Sequence, residues 1–278
     1  MGWARVEGPG DAPEGYNIPS PDEEVGRDGA GGKKACSLLS INGVLYLLVR
    51  NANNAGREME IWSSTDHGVH WHDAGWNFAE LGYGSFVNFG RDYAGARDEY
   101  VYLLAPNSPS AYVPGDVVVL ARVPRDQIMI GSAWRFYAGV PANGNGEIRW
   151  SEDIGHRQSV LVFPRGCNRL SVTYNPGLGR YLMTLRARGS QQGFPNCFSI
   201  LDAPEPWGPW TTVYYIETSL PGMSETNTRS GGWGESQHIP AKWISQDGRR
   251  FYLIYSGDDR FRTRGCTLNL RPAGPEEE

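Results

Sequence analysis

Residues Ser64-Thr65-Asp66-His67-Gly68-Val69-His70-Trp71 fill every fixed place of the pattern S-x-D-x-G-x-x-W, the Asp box. That spacing suits a tight hairpin between two outer strands of a sheet. Asp66 can accept backbone N–H groups inside the turn, Gly68 can take φ > 0, and Trp71 can fold back on the sheet. Such a hairpin is scaffolding, so it constrains the fold more than the chemistry.

The chain also repeats one module four times. Apolar strands flank a polar turn at Ala35–Ile41, Asn42-Gly43, Val44–Arg50, and again at Ser85–Phe89, Gly90–Asp98, Glu99–Ala105. The third copy is Leu170–Tyr174, Asn175–Gly179, Arg180–Arg186; the fourth is Ala241–Ser245, Gln246-Asp247-Gly248, Arg249–Ser256. Asn-Gly and Asp-Gly between β-rich runs are strong hairpin signals. A Tyr stands near the start of each second strand: Tyr46, Tyr100, Tyr181 and Tyr252. In three copies a third strand follows and a Trp opens a fourth: Met59–Ser63 to Trp71, Val117–Val123 to Trp134, Cys197–Leu201 to Trp210. The last copy has a third strand, Gly265–Leu270, and no fourth. Helical periodicity is not sustained anywhere, although Val123–Ile130 has room for one helical turn. The expectation is all-β, with sheets set radially as in a β-propeller.

Composition fits this reading, with 10 Trp, 14 Tyr and 36 Gly in 278 residues. The net charge of −5 comes without a basic stripe, which argues against nucleic acid. Arg186–Arg188 and Arg260–Arg264 read as solvated hairpin faces. No apolar run approaches the ~18 residues a membrane span needs. The start, Met1-Gly2-Trp3-Ala4-Arg5, has no apolar core of a secretory signal, as in an intracellular protein or a sequence lacking its natural beginning. Cys36, Cys167, Cys197 and Cys266 are scattered without metal spacing and read as buried thiols.

The stretch Asp202-Ala203-Pro204-Glu205-Pro206-Trp207-Gly208-Pro209-Trp210 resembles a signature of a family of uncharacterised microbial propellers, a domain of unknown function. Asn88–Asp98, Leu120–Asp126, Tyr174-Asn175 with Leu178–Tyr181, Lys242–Ser245 and Tyr255–Asp259 carry the same likeness. That family is similar to five-bladed glycoside hydrolases and includes members assigned as arabinan-cleaving enzymes. The resemblance implies a β-propeller of the five-bladed hydrolase type, with four blades visible at about 35–78, 84–140, 146–216 and 235–270. Trp3–Gly8 resembles the third strand of a first blade whose preceding hairpin is absent, and it is expected to close the last sheet. Residues 271–278 are expected to be a disordered tail.

Function is expected at one mouth of the central channel, lined by the innermost strands. A glycosidase needs two carboxylates roughly 5 to 9 Å apart. The catalytic candidates are Glu235, Asp153 and Asp98, with Glu147, Glu152 and Asp92 behind them. Arg169, His238, Tyr174, Lys34, Asn88 and Trp233 are the candidate substrate-binding residues. Arg169 with His238 or Tyr174 also suits a polysaccharide lyase, with the Arg holding a sugar carboxylate while the base removes the α-proton. A glycan-binding propeller without catalysis is the other alternative. Trp150, Trp207, Trp210 and Trp243 read as sheet core, and Trp233 as an exposed sugar platform. No cofactor is expected; Asp92 with Asp98 is the one place with oxygen ligands for a structural calcium. The expected partner is a poly- or oligosaccharide, met by a monomer, and that reading suggests an extracellular address.

Overall fold

The computed structural model describes residues 3–18, 32–53, 55–140, 147–187, 197–216, 235–257 and 260–270. The first elements are a two-stranded hairpin, β1 (Trp3–Glu7) with β2 (Glu14–Ile18). Then comes a four-stranded antiparallel sheet, β3 (Lys34–Ile41), β4 (Val44–Arg50), β5 (Met59–Ser64) and β6 (His72–Phe78). The second sheet holds β7 (Ser85–Asn88), β8 (Tyr100–Pro106), β9 (Gly115–Pro124) and β10 (Arg135–Tyr137). It is extended by β11 (Trp150–Ser151) and β12 (Ser159–Cys167). The third sheet is β13 (Arg169–Asn175), β14 (Arg180–Ala187), β15 (Cys197–Ala203) and β16 (Thr211–Ile216). The fourth is β17 (Glu235–His238), β18 (Arg250–Gly257) and β19 (Arg260–Thr267).

Burial separates the first strand from the last most sharply in the third sheet, whereas in the first sheet β4 and β5 are more buried than β3. β13 is buried at six of its seven positions, whereas β16 is exposed at five of six. A strand covered on both faces must be apolar or fully hydrogen-bonded along its length. β3, β7, β13 and β17 contact one another in turn from sheet to sheet and form an inner layer, and the Trp-led strands form the rim. The inner strands run the same way. β13 pairs in parallel with β7, Val172 opposite Val87 and Thr173 opposite Asn88.

Small polar side chains tie the other inner neighbours. Ser37 Oγ accepts from Phe86 N at 3.0 Å, and Thr173 Oγ1 donates to Ile239 O at 2.7 Å. The main core lies between the first three sheets, around Leu48, Met59, Leu103 and Val172. A second cluster, including Leu182, Phe198, Ile239 and Phe251, joins sheets three and four.

The hairpin expectations hold best where turn chemistry is local. Asn42 and Gly43 both have positive φ (50° and 78°), the signature of a type I′ turn. Around the Asp-box motif, Ser64 Oγ donates to Asp66 Oδ1 (2.8 Å) and accepts from Gly68 N (2.9 Å). His70 N donates to Asp66 Oδ1 and Trp71 Nε1 to Gly68 O, at 2.9 and 3.0 Å. These donors, the His70 amide foremost, hold the Asp66 carboxyl far below the usual range.

Four expectations need correction. Ala241–Ser245 is not the inner strand of the fourth sheet: Ala241–Trp243 is a 3-10 turn, and the inner strand is Glu235–His238. Pro240 lacks an N–H and has the φ of a helix start, so the ladder stops before it. Residues 150–167 join the second sheet, because β12 shares the outer edge of β9 with the short β10. Val123–Ile130 forms no helix: strand β9 runs to Pro124, and simple turns follow. Trp3–Glu7 pairs with Glu14–Ile18 and not with the last sheet. Its turn nevertheless rests on that sheet, since Trp243 Nε1 donates to Gly8 O at 3.0 Å and Gly10 lies against the Tyr252 ring. The tail 271–278 falls outside the described residues.

The third and fourth modules meet at their turns, where Gly177 stacks on backbone. A Cβ there would sit 2.3 Å from Gly248 N and 2.6 Å from Gln246 O. Gly177→Ala should therefore lower the urea midpoint, with a loss of about 1–3 kcal/mol and an unchanged m-value.

Candidate functional site at the leading end of the inner strands

Because the inner strands are parallel, they share a leading end and a trailing end, and each candidate can be assigned to one. Lys34, Arg169 and Glu235 each begin an inner strand and lie at the leading end. Asn88 ends β7 beside Thr173, and Tyr174 lies one residue further along β13. His238 ends β17, next to the Ile239 carbonyl that Thr173 bonds. These three lie towards the trailing end. Five residues of β13 separate Arg169 from Tyr174, about 17 Å at strand rise. An Arg169–Tyr174 lyase pair is therefore not assembled.

The carboxylates are equally divided. Asp98, at the trailing end, accepts from Tyr100 N (2.9 Å) and the Tyr102 hydroxyl (2.6 Å). Burial first, then the Asp98 charge, pushes that phenol up, so it stays a donor. Asp153 is exposed and caps the 3-10 turn Ile154–His156 after β11, accepting from Gly155 N at 2.7 Å. Asp92 accepts from Ser40 Oγ and Gly43 N at 2.9 and 3.0 Å. Asp92 and Asp98 are thus engaged separately, and no metal-type cluster occurs among the described residues. Trp233 lies outside the described residues.

The loop Gly90–Asp98 is clasped at its Arg97 end and lines a cavity with its first residues. Arg97 makes two 3.0 Å contacts to the Glu205 carboxylate and lies 5.7–5.8 Å over the rings of Tyr174 and Tyr181. A cavity of about 490 Å³ opens beside this loop, lined among others by Leu38, Leu45, His67, Asn88, Arg91 and Asp92. Its one carboxylate is the Asp92 group already bound to the first hairpin.

The leading end is different in kind. Arg50 ends β4 opposite Lys34 and is only 7% exposed, as is Arg169. The Arg50 guanidinium stands over the Tyr112 ring at 5.4 Å, and its buried Nη1 has no hydrogen-bond partner. Burial, then the neighbouring charge of Arg169, disfavours its protonated form. The next residue, Asn51, is fully buried; its Nδ2 donates to Gly32 O at 3.3 Å, but its Oδ1 accepts nothing.

On the other face of the same sheet Glu60, 6% exposed, meets Lys33 Nζ at 3.1 Å. Burial raises the Glu60 carboxyl despite that cation. Cys36 is no nucleophile: burial pushes its thiol up to about 11, although Arg50 and Arg169 oppose the shift. Arg50, Asn51 and Glu60 were not singled out in the sequence. The only signal was hairpin arithmetic, which carries the end of β4 to the start of β3.

The tryptophans are mostly structural. Trp150, Trp207 and Trp210 are partly buried against the main core, and Trp243 binds the first hairpin. Arg122 is held 4.0 Å from the rings of both Tyr100 and Trp150.

Comparison with known proteins agrees with this architecture. The chain belongs to the family DUF4185, a domain of unknown function, whose profile matches residues 36–256. A search of curated proteins finds no match. A Bacteroides ovatus protein described as a "putative glycoside hydrolase" superposes with a TM-score of 0.53 at 12% identity, covering 94% of this chain and 78% of that one. A second Bacteroides ovatus protein, a "putative hydrolase", gives 0.48 at 16% identity, covering 80% of this chain and 54% of that one. A family 117 glycoside hydrolase of Zobellia galactanivorans gives 0.47 at 13%, covering 84% and 66%. The chain thus spans between half and two thirds of the length of those last two proteins. The chain is a member of an uncharacterised family that resembles glycoside hydrolase propellers.

Burial pushes the His238 imidazole down to about 4, so the folded protein keeps it neutral where the unfolded chain would protonate it. Between pH 6.5 and 4 the unfolded state binds the extra proton, so stability should fall with acidification in that window. Thermal melts of the wild type and His238→Asn should diverge there, with the flatter pH profile belonging to the variant.

Proposed function

We propose that this protein is carbohydrate-active: a propeller of the glycoside hydrolase type, with four blades in the described chain, that receives a sugar chain at the leading end of its inner strands. The observation that carries the reading is the local concentration of buried polar atoms without partners. Arg50 Nη1 offers a donor and Asn51 Oδ1 an acceptor, one residue apart at that end. Buried polar groups are almost always hydrogen-bonded, and a ligand rich in hydroxyl groups supplies both kinds of partner. In this reading the Ser64–Trp71 hairpin is an Asp box on the rim, remote from the chemistry, and the β1–β2 hairpin fills the space beside the fourth blade.

Hydrolysis is the activity to test first. Of the sequence candidates, Glu235 is the carboxylate whose strand begins at this end, and it is the proposed general acid. Incubation with arabinans, other neutral glycans and uronic-acid polysaccharides should release new reducing ends from at least one of them. Glu235→Gln should then reduce the rate by about 10²-fold or more. A folded protein silent on every substrate would sink the hydrolase.

A non-catalytic glycan-binding propeller is the second reading. It is favoured by the commitment of Asp98 and Asp153 to backbone and tyrosine partners. It predicts saturable oligosaccharide binding without turnover, measured by calorimetry.

A further inference from the structure

We propose that Arg50, with Arg169 beside it, forms an anion-binding site at the leading end, shaped for the carboxylate of an acidic sugar unit. The identity of the molecule that carries the acid rests on the carbohydrate reading. The presence of the site does not.

A guanidinium stays charged under all ordinary conditions, so it cannot escape burial by losing its proton. Arg50 is nevertheless more than nine-tenths covered and contacts no carboxylate among the described residues. Its neighbours are the Tyr112 ring, the neutral Cys36 thiol, Tyr83, and a second buried guanidinium, Arg169, which opposes its charge. Tyr83 belongs to the same corner, since its hydroxyl donates to Leu170 O at 3.3 Å. The buried Arg50 Nη1 without a partner is unfavourable alone and becomes favourable with an anion beside it. The planar fork of a guanidinium matches a carboxylate through two parallel hydrogen bonds, which an ammonium cannot do. The open acceptor Asn51 Oδ1 lies one residue on and suits a hydroxyl. A carboxylate with a neighbouring hydroxyl is the group that a uronic acid presents. A free small anion offers the first half of that chemistry only.

The test titrates the full chain with trigalacturonate, sodium sulfate and a neutral arabino-oligosaccharide at matched ionic strength, by calorimetry and thermal shift. Trigalacturonate should bind, more weakly as salt rises. Arg50→Met should weaken it by about tenfold or more, and Arg50→Lys should restore only part, because the charge returns without the fork. The neutral sugar should lose less affinity than trigalacturonate in both variants, because it gives up a hydrogen-bond donor and no charge pairing. Arg50→Met should melt no lower than the wild type without ligand, because it removes a buried charge that lacks an ion-pair partner; a structural arginine would give the opposite result. If that variant fails to fold, Arg50→Lys carries the comparison. Equal binding of acid by wild type and variants, or no binding of any anion by the wild type, overturns the site. Neutral sugar bound with acid refused leaves the carbohydrate reading standing and removes this site. Sulfate bound through Arg50 with every sugar refused keeps an anion site, but overturns both its assignment to an acidic sugar and the carbohydrate reading.

Discussion

The parallel pairing of β7 with β13 is the contact on which the rest of the arrangement depends. Parallel strands need a long crossover, here the whole remainder of the second sheet with its two added strands. Joining Val87 to Val172 and Asn88 to Thr173 fixes the level of one module against the next. Ser37 and Thr173 repeat that alignment on either side through single side-chain bonds to backbone. Once the levels are set, every inner strand contributes its first residue to one end and its last to the other. The separation of candidate residues into two groups follows directly.

The two ends differ in how their polar groups are satisfied. At the trailing end Asp92 holds the first hairpin, Asp98 two tyrosines, and Arg97 a carboxylate across a pair of aromatic rings. That end is fastened. At the leading end Arg50 and Asn51 keep buried atoms without partners, and a carboxyl is raised by burial next to a lysine. Folding alone gives no reason to retain such groups, since apolar residues of similar size would pack there at lower cost. Polar groups left open inside a stable fold point to a ligand.

Much of the fold was legible in the sequence because its signals are local. Asn42-Gly43 sets a two-residue turn by its own backbone preferences, and Trp134 and Trp210 stand directly before their rim strands. The fourth inner strand was not legible. Glu-Ser-Gln-His is short and polar, and it is anchored through Gln237 to Thr184 and through the following Ile239 to Thr173, both more than fifty residues away. The neighbouring apolar stretch Ala241–Ser245 looked more like a strand but follows a proline. The site was legible only in part, for a related reason. Lys34 and Arg169 stand directly before expected inner strands, whereas Glu235 begins the strand that was missed and the levels of Asn88, Tyr174 and His238 depend on pairings between modules. Arg50 reaches the leading end through a bulge at Cys36, which puts Lys34 opposite it where a regular hairpin would put Ala35.

Hydrogen exchange of the full chain, with and without a saturating oligosaccharide from the bound panel, tests the central claim most directly. The account predicts new protection at the leading end, in segments 32–36, 50–53 and 168–171, with the trailing loop 88–98 unchanged. Protection confined to 38–43 and 88–92, around the cavity beside Asp92, would move ligand binding to the opposite end and contradict the account.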